Sequence, residues 1–317
     1  MNTYSLKERI WQAINRQAWL DRLAGSVFGF VNRLYAGSGV SQGVENFLNG
    51  TWLGHPLHPA ITDVPVGSWT AAVVLDGIEV SSRKKRFGRA ADTAVLIGVV
   101  SAAAAAVAGF TDAQHYREEK GRFAILHALL NTVGLGLFTA SYVARRNKNR
   151  PLGRGLALGG YLLAFSSAYI GGDMVFRQRI GVNHSLKKAE VNEFTAVLPE
   201  YELADGRLTR VEVKGVPVLL LRRGEHVFAV NEICPHMGGP LSRGELRVDD
   251  TVVCPLHGSR FDLHTGNIID GPSAYPVPCY DARLNNGQVE IRLHDRYRQE
   301  EIPGVQVRGE VSRSYID

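Results

Sequence analysis

The chain has 317 residues and three cysteines, Cys234, Cys254 and Cys279. So few exclude a disulfide-built scaffold. No C-x-x-C-H run occurs, which excludes covalent attachment of a c-type haem. No glycine-rich dinucleotide fingerprint follows a strand pattern, so no nicotinamide or flavin domain is expected. The first twenty residues carry Lys7, Glu8, Arg9 and Arg16 and lack a long apolar core, so no cleavable signal peptide is expected. Net charge is +5, from 36 Lys and Arg against 31 Asp and Glu. No surface interleaving basic and aromatic residues stands out, and nucleic acid is not an expected partner.

Charge is scarce over four stretches, 60–80, 92–110, 123–144 and 156–176. Each is near the ~20 residues needed to cross a bilayer. The second holds Ala102 to Ala106 in a row and the fourth is rich in Gly and Ser, as closely packed membrane helices are. The first is the weakest, because Asp63 and Asp76 lie in it. A soluble helical bundle is the alternative, but the charges fall mainly between the stretches. The expectation is a four-span integral membrane protein whose partner is the lipid bilayer of a bacterial-type inner membrane.

The loops after the first and third stretches are basic, with Arg83, Lys84, Lys85, Arg86 and Arg89, then Arg145, Arg146, Lys148, Arg150 and Arg154. The positive-inside rule places them in the cytoplasm and both termini on the outer, periplasmic side. Lys7, Arg9, Arg16, Arg22 and Arg33, with Arg177, Arg179, Lys187 and Lys188, count the other way. Ahead of the spans, Ile10, Trp11, Ile14, Ala18, Trp19 and Leu23 recur near helical spacing, which predicts an amphipathic helix on the membrane or on the bundle.

Two segments carry the chemistry. Cys234-Pro235-His236 is followed, after 17 residues, by Cys254-Pro255-Leu256-His257. Two cysteines on one iron and two histidines on the other can hold a [2Fe–2S] cluster. Zinc also takes two cysteines and two histidines, but its arms usually pair like with like. Here each arm mixes Cys with His, which suits the diiron cluster better. Pro235, Pro255 and the glycines after each arm stiffen and turn the loops. Their N–H groups, and the hydroxyl of Ser259, can point at the sulfurs. Cys279 is left over and reads as a small buried hydrophobe. Around the segments, short strands at 209–213, 217–222, 226–230, 251–253 and 289–292 alternate with glycine turns, the pattern of a small all-β domain.

A second set of histidines lies at the membrane face. His55 and His58 open the first span, His115 follows the second, and His127 lies a turn into the third. With Asp63, Asp112 and Asp173 they gather on the side from which the C-terminal domain leaves. Ionisable groups in a membrane are functional candidates. His58 and His127 are the pair for a b-type haem, with His55 and His115 as substitutes. A hydrogen-bonded polar cluster, a quinone site and a metal site stay open beside it.

The stretch from Cys234 to Pro272, including Phe261-Asp262 and Thr265-Gly266, resembles the Rieske family. The resemblance implies that Cys234, His236, Cys254 and His257 are the cluster ligands. Met237 and Leu256 stand where proteins of cytochrome bc complexes carry a disulfide, so the ferredoxin-type domain is the nearer likeness. The front half resembles the membrane family known as domain of unknown function 2231. That likeness rests on Gly54 to Pro59, Asp63-Val64-Pro65-Val66-Gly67, Asp112, His127 and Gly171-Gly172-Asp173.

The expected fold is a four-span membrane α-helical bundle followed by a small all-β Rieske domain. The expected divisions are 1–50 amphipathic, 51–180 transmembrane, 181–191 linker, 192–294 cluster domain and 295–317 tail. The expected function is a membrane-anchored electron carrier exchanging electrons with a redox partner protein or a quinone. Alternatives are a Rieske-type component of an oxidoreductase or oxygenase system, or a cluster-based redox sensor. About 60 residues follow His257, with His264 and His294 their only histidines, too little for the mononuclear iron domain of a self-sufficient oxygenase.

Overall fold

The computed structural model describes residues 6–37 and 42–298; positions 299–317, most of the expected tail, lie outside the described residues. Seven helices come first. They are α1 (Leu6–Asn15), α2 (Ala18–Gly37), α3 (Gln42–Asn49), α4 (Leu57–Ser82), α5 (Lys85–Ala113), α6 (Glu118–Arg146) and α7 (Arg150–Phe176). The last four form the bundle. Three of them, α5, α6 and α7, are long and apolar enough to cross a membrane, against the four spans expected. The long helix that falls short is α4, whose apolar run is interrupted by Asp63, Asp76 and Glu79.

The bundle is apolar on its outside. Val74, Val100, Val107, Val133, Leu162 and Phe165 are exposed, while Asp76, Ser141, Arg145 and Ser167 are buried. Water would reverse that arrangement; lipid does not. Close helix approach comes from small residues. A Cβ at Gly98 would overlap the Trp69 indole, and one at Gly160 would lie 2.9 Å from the Phe138 ring. Trp69 and Phe138 stack on each other at 4.2 Å between centroids.

Those contacts come in matched sets. The α6–α7 hairpin repeats the α4–α5 hairpin. Leu57, His58, Val64, Gly67, Thr70, Ala71 and Val74 recur as Leu126, His127, Val133, Gly136, Thr139, Ala140 and Val143, each 69 positions on. Gly98, Ala102, Ala106 and Gly109 of α5 recur at their own constant spacing as Gly160, Ala164, Ala168 and Gly171 of α7. Contacts repeat with the residues. His58 Nδ1 meets Ala105 O at 2.8 Å, and His127 Nδ1 meets Ser167 O at 2.9 Å. Ala105 and Ser167 are related by the same spacing as the glycines.

The N-terminal helices dock on this bundle. Trp11 stacks on Phe123 at 4.0 Å and its indole donates to Asp173 at 2.6 Å. Leu20 and Phe28 are buried, while Ile10, Trp19, Phe30 and Leu34 face outward. The amphipathic segment therefore lays one face on the bundle.

Ten strands follow. They are β1 (Thr195–Pro199), β2 (Thr209–Val213), β3 (Val216–Arg223), β4 (His226–Asn231), β5 (Glu245–Leu246), β6 (Thr251–Val253), β7 (Arg260–Asp262), β8 (Ile268–Asp270), β9 (Cys279–Asn285) and β10 (Gln288–Leu293). A one-turn helix, α8 (Asp295–Arg298), ends the described chain. The larger sheet runs β1-β10-β9-β4-β3-β2 and the smaller β5-β6-β7-β8. Pairing is antiparallel throughout. Strand alternation splits the interior in two. Val218 and Leu220 of β3 pack with Val211, Ala229 and Ile291, whereas Leu219 and Leu221 pack with Leu241, Val252, Cys254 and Phe261. The second core lies beneath the loops that carry the cysteines and histidines.

Candidate metal centre

Two loops with one design build the centre. The first follows β4 and reads Cys234-Pro235-His236-Met237-Gly238; the second follows β6 and reads Cys254-Pro255-Leu256-His257-Gly258. In each, the glycine N–H returns to the cysteine carbonyl, at 2.9 Å for Gly238 to Cys234 and 3.1 Å for Gly258 to Cys254. The cysteine N–H then donates to the next residue, at 2.8 Å to Gly239 O and 2.8 Å to Ser259 O. Gly238 and Gly258 take φ of +77° and +80°, a region that penalises a side chain. A Cβ at Gly239 would come within 2.8 Å of Cys254 Sγ, so the loops approach each other through a bare backbone.

This brings together all four residues that the sequence singles out. The Cys234 and Cys254 thiols hydrogen-bond to each other. The His236 and His257 rings stand 5.0 Å apart at 83°. Cysteines pair with cysteine and histidines with histidine, although each loop supplies one of each. Among the described residues no group of three or more His, Cys, Asp and Glu side chains is arranged around a single metal ion.

The electrostatics suit ligands. The Cys234 bond lowers the Cys254 thiol to about 7, and N–H groups of Leu256 and His257 support the thiolate against burial. The same bond, with burial, pushes Cys234 well up, while N–H groups of His236 and Met237 oppose the rise. Burial first, then His257, His115, His184 and Lys120, hold His236 far below the usual imidazole range. Burial, Arg117 and Lys120 lower His257. Neutral imidazoles are the ligating form. His236 Nδ1 is buried with no hydrogen-bond partner, an orphan that a metal would satisfy. The residues present fit a [2Fe–2S] cluster.

Ser259 accepts one hydrogen bond and keeps its own O–H as a donor. Its Oγ accepts from the Ser273 N–H at 3.0 Å, tying the second loop to the 271–273 segment. Cys279 is buried in the core beneath the loops, as a small hydrophobe.

The membrane histidines divide. His58 and His127 face each other at 6.2 Å across the two hairpins. Both ring nitrogens of His127 are engaged, Nδ1 with Ser167 and Nε2 with the Asn131 amide at 3.0 Å. His55 is exposed and turns to Pro56 O at 2.9 Å, apart from the pair. His115 leaves the pair for the metal centre, with its ring 5.1 Å from His257 and 6.1 Å from His236. Its pKa is lowered to about 4 by burial, His257 and Arg117.

Sequence reasoning missed His184 and the Asn231–Tyr280 pair. The His184 N–H donates to Pro235 O at 3.0 Å, beside the first loop. Asn231 holds Ser185 and Lys187 of the linker, and Tyr280 OH donates to it at 2.6 Å. No motif marks these residues; their burial is the signal, and burial is a property of the fold.

Residues 193–281 match the family described as Rieske [2Fe-2S] domain, and residues 54–184 match a predicted membrane protein family, DUF2231. The 3-phenylpropionate/cinnamic acid dioxygenase ferredoxin subunit of Escherichia coli (strain K12) is 32% identical over 95 residues, 30% of this chain and 89% of that protein. The anthranilate 1,2-dioxygenase ferredoxin subunit of Burkholderia cepacia is 32% identical over 103 residues, 32% of this chain and 86% of that one. Among solved structures, the ferredoxin of carbazole 1,9a-dioxygenase from Nocardioides aromaticivorans IC177 aligns over 100% of its length and 32% of this chain, with 28% identity and a TM-score of 0.31. The chain belongs to the Rieske [2Fe-2S] domain family, with a DUF2231 membrane domain ahead of its cluster domain.

Proposed function

We propose that this protein is a membrane-anchored one-electron carrier in which Cys234, His236, Cys254 and His257 hold a [2Fe–2S] cluster. The observation that carries the reading is the pairing of thiol with thiol and imidazole with imidazole, with His236 Nδ1 buried and without a hydrogen-bond partner. The cluster supplies a one-electron couple, raised above that of an all-cysteine ferredoxin by its two neutral imidazoles. The loops exclude water from the cysteines, point four N–H groups at their sulfurs and keep the imidazoles neutral. Relatives that are dioxygenase ferredoxin subunits favour a redox protein as the partner. A bilayer quinone is the competing donor or acceptor.

The membrane half anchors this carrier with four spans, α4 included. Along α4, His58 and Asp76 are 18 residues apart, about 27 Å at 1.5 Å per residue. That matches a hydrocarbon core of ~30 Å and puts the ionisable groups near its two faces. His58 and His127 serve as a hydrogen-bonded polar pair. A b-type haem between them is disfavoured, because His127 Nε2 already accepts from Asn131. We assign 51–180 to the membrane domain, 181–191 to the linker and 192–294 to the cluster domain, with the cluster on the periplasmic side.

The test is EPR of the reduced, purified full-length protein with metal analysis. A rhombic signal that His236→Ala or His257→Ala abolishes supports the reading. Stoichiometric zinc without iron refutes it.

A further inference from the structure

His115 belongs to the membrane half by sequence and to the cluster by position. It lies in the connection between α5 and α6, residues 114–117. That connection is held firmly. Arg117 donates to Gln114 O at 2.7 Å and Tyr116 O at 2.9 Å, and Gln114 Nε2 donates to Glu45 at 3.0 Å. Tyr116 is buried in the apolar cluster shared by the N-terminal helices and the bundle. The imidazole so presented covers His257 and His236, and its Nε2 is buried without a hydrogen-bond partner.

The cluster domain is pinned against this connection. Met237, beside the ligand His236, packs with the apolar cluster of Trp11, Phe123, Met174 and Ile180. Asn46 of α3 donates to Asp270 at 3.1 Å and accepts the Gly271 N–H at 2.8 Å. His184 N–H and Pro235 O close the same side. The histidine edge of the centre thus faces the chain's own membrane half.

That placement has an electrostatic consequence. Two ferric ions, two sulfides, two thiolates and two neutral imidazoles sum to zero charge. Uptake of one electron from the redox partner leaves a single negative charge. Covering the imidazoles removes water that would solvate this charge and so disfavours reduction. Nearby cations act in the opposite direction. Arg117 stands two positions after His115 in the same connection, and Lys120 lies in the first turn of α6 directly after it.

We propose that the α5–α6 connection and the first turn of α6 are the outer shell of the Rieske centre: His115 is a positioning residue that shields both cluster histidines, and Arg117 and Lys120 stabilise the reduced form. The membrane half then sets the potential of the cluster it carries. This inference rests on the ligand assignment above.

The test is a redox titration of the full-length protein in nanodiscs, followed by the EPR signal. Lys120→Gln and Arg117→Gln each lower the reduction equilibrium several-fold; a tenfold change is about 59 mV for one electron. Arg117→Lys retains the wild-type value. His115→Ala raises the potential by admitting water, and His115→Phe, which keeps the cover, restores it. Unchanged potentials in Lys120→Gln and His115→Ala, with the EPR signal intact, overturn the inference. Absence of any Rieske signal in the wild type instead overturns the ligand assignment.

Discussion

Asp76 and Arg145 occupy the same position in two copies of one helical hairpin, and they meet as a buried ion pair. Repetition of a single residue there would set two like charges together; the opposite signs make the bundle's two halves complementary. The pair sits in a wider network. Arg145 also reaches Asp92 at 3.1 Å, Arg150 reaches Asp92 at 2.9 Å and Glu79 at 3.0 Å, and Arg154 reaches Glu79 at 2.5 Å. Three acids face three arginines. Room for them comes from glycine: a Cβ at Gly153 would lie 2.6 Å from the Arg145 side chain.

Removing one partner leaves a buried charge uncompensated. Asp76→Ala should cost about 3 kcal/mol, the lower end for a broken buried pair, because Asp92 still contacts Arg145. Asp76→Ala with Arg145→Ala should cost less than the two single changes added together, by about 1–3 kcal/mol. Thermal unfolding in detergent measures all three. Strict additivity would show that the pair is not coupled.

The repeated glycines make an ordered prediction. A Cβ at Gly109 would lie 2.8 Å from His58 Nδ1, and one at Gly171 would lie 3.1 Å from His127 Cε1. Both substitutions to Ala overpack the histidine pair, at about 1–3 kcal/mol. Gly109→Ala should be the more damaging, since its contact is the closer. Melting temperatures of the two variants, compared side by side, decide the order.

Much of this architecture is legible in the residues themselves. C-P-x-x-G occurs twice, and each copy encodes the same closed loop, so the four-residue centre can be read directly. Apolar length marks α5, α6 and α7. What the sequence hides is relation across distance. The hairpin repeat is masked because Asp76 matches Arg145 and Trp69 matches Phe138 in place but not in type. His115 reads as one more membrane-face histidine until the fold turns its ring toward His257. The linker reads as a spacer, yet Ala189 and Val191 are buried against the sheet.

That linker is fastened through Tyr280, which predicts a response to alkali. Its hydroxyl donates to Asn231 Oδ1 at 2.6 Å and accepts the Ala189 N–H at 2.9 Å. Burial, the leading cause, pushes its pKa from 10.0 to about 12. Between these values the unfolded chain releases the phenolic proton and the folded one keeps it. Stability is therefore whole below pH 10 and declines as pH rises through about 12, by roughly 2–3 kcal/mol. Tyr280→Phe should begin about 1–2 kcal/mol lower and lose less over that window. Denaturant unfolding of both proteins at pH 8 and pH 11 checks the sign. A steeper alkaline loss in the variant would contradict it.

Orientation gives the last prediction. Arg145, Arg150 and Arg154 are engaged with Asp76, Glu79 and Asp92 inside the bundle. Arg83 and Lys84, between α4 and α5, and Lys85, Arg86 and Arg89, at the start of α5, are all exposed and form the basic group on that end, and among the described residues none is in an ion pair with a buried acid. A buried pair is carried with the bundle whichever way it inserts, so the Arg83–Arg89 cluster should decide the direction. It lies at the opposite end of α4 and α5 from His58 and His115. With that cluster in the cytoplasm, the metal centre faces the periplasm. A cysteine at Lys84 should be shielded from an impermeant thiol reagent in intact cells, and a cysteine at Glu118 should label. Reversing the cluster with glutamates at 83–86 should weaken or invert that pattern, whereas the Asp76→Ala, Arg145→Ala double change should leave it as it is. Labelling at Lys84 but not at Glu118 in the otherwise unaltered chain would place the Rieske domain in the cytoplasm.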